Sequence, residues 1–234
     1  MSELVADKPF SASMGDYVKA LWELAGPSGG AASTTDVADR LCVSPSSVTN
    51  MFGRLRGMGL AEYERYRGAS LTEEGLSEAL RLVRRHRRIE AFLLERMGYS
   101  WEEVHEEAEK LEHAVSDRFT ERIAELLGHP DHDPHGDPIP VVDGTMEPDG
   151  AFSLPAAAVG QRVLIARVGH ETAPLLTYLG ERGLVPGRLL TVREVRALDG
   201  VITVEDEDGE AFALGGPLAG VLFVRDAPRD DGGG

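Results

Sequence analysis

Cysteine is almost missing from this 234-residue chain: Cys42 stands alone, so no disulfide can form within it. The first thirty residues lack the basic start and apolar run of a secretory leader. No stretch approaches the roughly twenty apolar residues that cross a bilayer. The expectation is a cytoplasmic protein with no membrane role. Positive charge is also short, with 24 Lys and Arg against 40 Asp and Glu and a formal net charge of −16. That sum argues at first sight against nucleic acid, because affinity for DNA rests largely on neutralised phosphates. Its distribution argues otherwise. Arg54, Arg56, Arg65 and Arg67 fall in one early segment and Arg81, Arg84, Arg85, Arg87 and Arg88 in the next, whereas acids crowd positions 102–112 and 205–210. An acidic protein can bind DNA through a small basic face. The length admits two or three small domains.

After a loose arm over residues 1–14, Tyr17, Val18, Leu21, Trp22 and Leu24 recur at helical spacing up to Gly26-Pro27, with Asp16 near the helix start, where an acid favours the helix dipole. Ser33 to Leu41 reads as a short capped helix. Cys42-Val43 reads as a tight connection, and Ser44 to Leu55 as a second capped helix. Two short helices joined this way suggest a helix-turn-helix. The second helix buries Val48, Phe52 and Leu55 and offers Ser46, Ser47, Thr49 and Asn50, small hydrogen-bonding residues able to approach base edges and phosphates, with Arg54 a turn further on. The run Ala61 to Thr72 alternates like a hairpin, with Arg65 and Arg67 near a tip at Gly68. Alone it is an ordinary solvated hairpin; directly after a helix-turn-helix it reads as a basic wing on the DNA backbone.

A longer helix from Thr72 to about Met97 carries His86 and Glu90 four residues apart, a spacing that can share one metal ion or simply form a surface hydrogen bond. The next helix is the most informative stretch of the chain. In the run His105 to His113, residues His105, Glu109 and Glu112 fall on one narrow stripe at 100° per residue, with His113 at its edge. Val104, Ala108, Leu111, Val115 and Phe119 form an adjoining apolar stripe. Carboxylates at the border of a core are costly unless something pairs with them. A divalent cation would satisfy Glu109 and Glu112 together and take imidazoles as neutral ligands, whereas a solvated face accounts for Glu102, Glu103, Glu106 and Glu107. Phe119, Ile123, Leu126 and Leu127 on the following helix suggest a dimer interface.

From Gly128 to Pro140, proline and aspartate exclude helix and central strand. Three histidines there could bind metal, but the composition reads as a solvent-exposed strap. Short strands follow at Arg162–Val168, Leu189–Val195, Val201–Val204, Ala211–Leu214 and Gly220–Val224, with a short helix around Leu175 to Arg182; together they make a small SH3-like barrel. The fold class expected is therefore multi-domain, mainly α with small β: an N-terminal winged helix-turn-helix over 1–75, a helical metal-binding and dimerisation domain over 76–141, a linker over 142–158, a C-terminal SH3-like β-barrel over 159–226 and a flexible tail over 227–234.

In this order, the elements resemble the diphtheria toxin repressor family of metal-dependent transcription regulators. The resemblance rests on Asp16-Tyr17 in the first helix, Pro45-Ser46-Ser47-Val48-Thr49 in the recognition helix, Tyr66-Arg67-Gly68 in the wing, His86 with Glu90, the His105 to His113 run, and Gly136-Asp137-Pro138-Ile139-Pro140. It implies a homodimeric repressor in which bound metal licenses binding to a pseudo-palindromic double-stranded DNA operator. One metal site then corresponds to Asp16, Glu109, Glu112 and His113 and a second to His86, Glu90 and His105, with Glu171, joined by His170, as the barrel's candidate ligand to the second. Iron-type members carry Met and Cys at the positions of Asp16 and Glu109. This chain resembles the manganese transport regulators at both, which makes Mn(II) the expected co-repressor and Fe(II) the alternative. Lys19 stands where that branch has a glutamate, so two separated sites are expected.

Two readings from other classes compete. A hydrolytic metal centre could use the same His/Glu clusters, but no residue run supplies a substrate pocket or a base, and no enzyme is expected. A winged-helix regulator sensing an organic ligand would leave the His/Glu run an accident.

Overall fold

The computed structural model describes residues 10–26, 29–141, 150–169 and 172–228. These fall into two compact units, residues 10–85 with 140–141, and residues 86–139 with 150–228.

In the first unit, α1 (Ala12–Ala25) buries Met14, Tyr17, Val18 and Leu21 on one face. Helix α2 (Thr34–Arg40) is started by Ser33, whose Oγ accepts the Asp36 N–H, and α3 (Pro45–Gly57) by Ser44, whose Oγ accepts the Ser47 N–H with Pro45 at the first helical position. Caps of this kind are worth about 1 kcal/mol each. The chain turns between the two helices through Cys42, at φ 53°. Val37, Val48, Phe52 and Leu55 close the core, at roughly 1.5–3 kcal/mol for each large side chain removed from water. Strands β1 (Ala61–Glu64) and β2 (Gly68–Leu71) pair antiparallel from Ala61↔Leu71 to Glu64↔Gly68, and Ala32 and Ala69 exchange backbone hydrogen bonds of 2.8 and 3.0 Å as a short third strand. Gly68 is required there: its φ is 95°, and a Cβ would sit 2.1 Å from the Ala32 carbonyl oxygen. The helix-turn-helix and wing take the order expected.

Helix α4 (Glu73–Met97) begins in the first unit and continues into the second, which opens at His86. The expected boundary at residue 75 therefore falls within one continuous helix; Ala79 belongs to the first core, and Ile89 and Leu93 to the second. Helix α5 (Val104–Glu112) packs Val104 and Ala108 onto Ile89 and Leu93, and α6 (Asp117–Leu127) adds Ile123. The apolar stripe of α5 does not run on to Phe119 as expected. The chain turns between His113 and Ser116, the Ser116 Oγ caps α6, and Phe119 is 49% exposed.

The strap after α6 is also not the exposed crossing expected. His129 and His132 are exposed, but Asp133 and His135 are buried, because Arg87 of α4 reaches the Pro138 carbonyl at 2.5 Å and lies 3.4 Å from both Asp133 Oδ2 and Asp137 Oδ1. The barrel is a six-stranded antiparallel sheet in the order β3-β8-β4-β5-β6-β7, formed by Phe152–Ser153, Leu222–Asp226, Arg162–Val168, Leu189–Arg196, Val201–Asp206 and Ala211–Leu214. Helices α7 (Ala173–Glu181) and α8 (Gly216–Gly220) complete it. Its core includes Leu154, Ile165, Leu179, Val192 and Leu222. The barrel starts before Val159: β3, placed within the expected linker, pairs with β8 through Phe152↔Val224. A two-residue strand is too short to show an alternating pattern. At the other end the Ala227 N–H still donates to the Arg162 carbonyl, so the barrel reaches one residue into the expected tail. The rest of the expected linker, residues 142–149, and positions 229–234 of the tail lie outside the described residues.

Candidate metal centre and nucleic-acid face

The i, i+4 spacing on α4 brings His86 and Glu90 to one buried face, and α5 sets His105, Glu109 and Glu112 against them. Glu90 Oε1 lies 2.9 Å from His86 Nε2 and 2.9 Å from His105 Nδ1, and the two nitrogens are 3.1 Å apart. Ligand atoms about 2.1 Å from one ion are about 3.0 Å apart along an octahedral edge and about 3.4 Å along a tetrahedral one. The edges of the triangle, 2.9, 2.9 and 3.1 Å, are hydrogen-bond distances and are also those of an octahedral face, so a divalent ion would fit without parting these residues further.

Glu112 is fully buried, and its Oε2 is 2.6 Å from His86 Nδ1. A carboxylate only accepts, so Nδ1 donates, and where a cation takes the place of the proton on Nε2, that nitrogen's lone pair points toward Glu90 and His105. The other oxygen of Glu112, Oε1, lies 3.4 Å from His113 Nε2. Glu109 is more open, with Oε1 3.8 Å from His86 Nδ1, and ligand atoms of His86, His105 and Glu109 all converge within 4.8 Å. Burial alone would raise the Glu90 carboxyl; the charge of His86 beside it, with hydrogen bonds from His105 and His86, overcomes that and holds it well below the usual carboxylate range.

Two buried residues that the sequence reading set aside join this region. Asp133 and His135, with Glu90, bring ligand atoms within 4.8 Å of one another. Burial, with Glu90 and Asp137 nearby, pushes the Asp133 carboxyl well up, opposed by Arg87. Burial pushes the His135 imidazole down, opposed by Glu90. The only sequence signal for them was His-rich composition, which carries no burial information. Of the remaining expected metal residues, Asp16 stands half-buried on α1 in the first unit. Lys19, one turn on, is buried. His170 and Glu171 lie outside the described residues.

On the first unit, Ser46, Ser47, Thr49, Asn50 and Arg54 are all exposed along α3, as are Arg65 and Arg67 on the wing. Ser46 and Ser47 share hydrogen bonds of 2.9 Å with the Ser44 hydroxyl, and Thr49 Oγ1 donates to the Pro45 carbonyl at 3.0 Å, leaving each hydroxyl oxygen able to accept. Arg67 lies 3.2 Å from Glu64, an exposed pair worth little in water. Tyr66, at the tip between the two arginines, is 91% exposed with φ 72°.

Three family descriptions match the chain in succession: "Iron dependent repressor, N-terminal DNA binding domain" over residues 9–69, "Iron dependent repressor, metal binding and dimerisation domain" over 72–141, and "FeoA domain" over 152–226. The chain is 32% identical over 181 residues to the iron-dependent repressor IdeR of Mycobacterium leprae, covering 72% of this chain and 78% of that protein. It is 38% identical over 115 residues to the HTH-type transcriptional regulator MntR of Lysinibacillus sphaericus, covering 49% of this chain and 81% of that one. Among solved structures, a manganese-dependent transcriptional repressor in complex with manganese superposes with a TM-score of 0.86 at 38% identity, covering 92% of this chain and 100% of the other. ScaR with bound Cd2+ superposes with a TM-score of 0.80 at 34% identity, covering 92% and 99%.

Proposed function

Because the chain belongs to the iron-dependent repressor family, that of the diphtheria toxin repressor, and is a metal-dependent DNA-binding transcriptional regulator, we propose that it is a homodimeric repressor of metal-uptake genes switched by Mn(II). The observation that carries the metal reading is Glu112. A fully buried carboxylate is costly unless positive charge meets it. One of its oxygens is taken by His86, and the other faces His113.

Glu109, Glu112 and His113 hold the ion of the switching site, and Asp16 completes its shell. Bound there, a divalent cation supplies the charge that makes a carboxylate from α1 favourable next to two others. Asp16 thereby ties α1, and with it α3 and the wing, into one orientation. His86, Glu90 and His105 form a second site. Carboxylate-rich ligation at the first suits Mn(II), a hard ion, whereas the mycobacterial relative is named an iron-dependent repressor. Dimers pair through the helical segment, where Phe119 and Leu126 leave an exposed apolar face on α6. Two copies of α3 then read half-sites of a pseudo-palindromic operator about one DNA turn, roughly 34 Å, apart. Ser46, Ser47, Thr49, Asn50 and Arg54 face the groove, while Arg65 and Arg67 hold phosphates. The test is operator binding measured in chelator and in Mn(II): a large gain with metal is expected, and coincident curves would sink the proposal.

A further inference from the structure

The tip of the wing holds a residue that neither the fold nor phosphate contacts of the hairpin account for. Strands β1 and β2 end at the pair Glu64↔Gly68, and the Arg67 N–H donates back to the Glu64 carbonyl at 3.1 Å, so Glu64 to Arg67 form a tight turn. Tyr66 takes its third position with φ 72°, while Arg65 before it keeps a negative φ. That sign pattern belongs to a type II turn, whose third position calls for glycine or asparagine. A bulky side chain there is strained, and such strain persists where something else makes use of the residue. Packing within the wing makes no use of it: Tyr66 is 91% exposed, and its ring meets only the flanking Arg65, whose guanidinium carbon lies 5.1 Å from the ring centroid.

The hairpin below the tip is firmly placed. Tyr63 of β1 packs on Phe52 of α3 with ring centroids 5.3 Å apart, and Ala69 of β2 exchanges hydrogen bonds with Ala32, so the tip is carried at a set position beside the recognition helix. With α3 in the major groove, the neighbouring opening along the duplex is a minor groove about 6 Å wide, which admits a side chain from a hairpin tip and excludes a helix. Arg65 and Arg67, both exposed, stand on either side of the ring. Positive charge on both flanks suits the two phosphate walls of that groove, and an aromatic ring between them suits the sugars and base edges inside it.

We propose that Tyr66 is a specificity-determining residue of the operator complex, entering the minor groove beside each half-site with its ring against the deoxyriboses. The floor of that groove is alike for A·T and T·A, which offer only the acceptors adenine N3 and thymine O2, whereas G·C adds the guanine amino group, which projects into the groove and holds the ring away. A·T-rich segments also narrow the groove and deepen its negative potential, which favours the two arginines. The preference expected is for A·T pairs in either orientation, at positions the recognition helix does not touch.

This inference rests on the wing lying on DNA, and the experiment separates the two. Full-length protein loaded with Mn(II) first selects its operator from a random double-stranded DNA pool. The pairs flanking the selected half-sites are then made A·T, G·C or inosine·C, the last keeping the major-groove face of G·C without its minor-groove amino group. Wild type should bind the A·T and inosine·C flanks alike and the G·C flanks about fivefold or more weakly, the low end of what one base pair contributes. Tyr66→Gly suits the positive φ, so the wing keeps its turn, and this protein should bind all three flanks alike. Its salt slope should match wild type, since no charge is lost, whereas Arg67→Ala should flatten the slope by about one unit. If Arg67→Ala flattens the slope but Tyr66→Gly keeps the wild-type flank preference, or wild type shows none, the wing lies on DNA and Tyr66 reads nothing there. If inosine·C flanks bind as weakly as G·C, the preference is read in the major groove and the proposal fails. If Arg67→Ala leaves the slope unaltered, the wing is off the DNA and the role of Tyr66 falls with it.

Discussion

Replacing Glu112 should weaken both metal sites at once, whereas replacing its neighbour His113 should weaken one. The reason lies in the two ends of one carboxylate: Oε1 faces His113, while Oε2, 2.6 Å from His86 Nδ1, fixes the tautomer that aims His86 Nε2 at Glu90 and His105. In Glu112→Gln the amide oxygen can still accept from His86, but the negative charge that makes that imidazole a good ligand is gone. Loss of such a supporting partner typically costs 10–100-fold in metal affinity, about 1.4–2.7 kcal/mol. Isothermal titration with Mn(II) should therefore show the first ion lost and the second weakened by that factor, against an unchanged second ion in His113→Ala. Glu112→Ala adds an apo-state effect: it removes the carboxylate 2.6 Å from His86 Nδ1, and a hydrogen bond to a charged group is worth roughly 1.5–3 kcal/mol, so chelator-treated Glu112→Ala should melt below chelator-treated Glu112→Gln. A second ion with wild-type affinity in Glu112→Gln would refute the idea that His86 is oriented through Glu112.

Arg67→Ala should lower affinity for every DNA sequence and flatten the salt slope by about one unit, with little loss from its exposed pair with Glu64. An unaltered slope would remove the wing from the backbone. Asn50→Ala should instead relax preference at one operator position, read by a binding-site selection experiment. Deleting residues 151–234 should leave DNA binding at high Mn(II) but lower the number of tightly held ions, because Glu171, the barrel's expected ligand to the second site, goes with them; unchanged stoichiometry would argue against any contribution of the barrel. Asp16→Met combined with Glu109→Cys softens the switching site and should move activation from Mn(II) toward Fe(II), Co(II) or Ni(II) in anaerobic operator binding, an identical metal ranking being the contrary result.

What could be read from the sequence was what repeats locally. Ser33 and Ser44 cap the helices they precede, Val48, Phe52 and Leu55 fall on one side of α3 at helical spacing, and β4 and β7 span the residues expected of them. The errors came where a local rule met a longer-range partner. Phe119 continues the α5 stripe only if the helix continues, and the Ser116 cap, a signal present in the sequence, starts a new helix instead. The two-residue strand β3 has no period of its own and exists because β8 offers it a free edge.

The strap shows why the site was only half legible. His86, Glu90, His105, Glu109 and Glu112 share two helices, so a period of 3.6 suffices to group them. Asp133 and His135 lie on no periodic element, and proline with aspartate correctly excludes helix and central strand; the further step, from irregular to exposed, does not follow. Irregular backbone can be buried when its polar groups are satisfied. Here Asp133 Oδ1 takes two strap N–H groups, Arg87 takes the Pro138 carbonyl, and Val168 donates to the His135 carbonyl. Each partner is remote in sequence or hidden in a turn, so burial of the strap depends on an arginine of α4 and a strand of the barrel that only the folded chain brings to it. An arginine in a helix read as basic surface thus becomes the staple that presents a histidine to the interior.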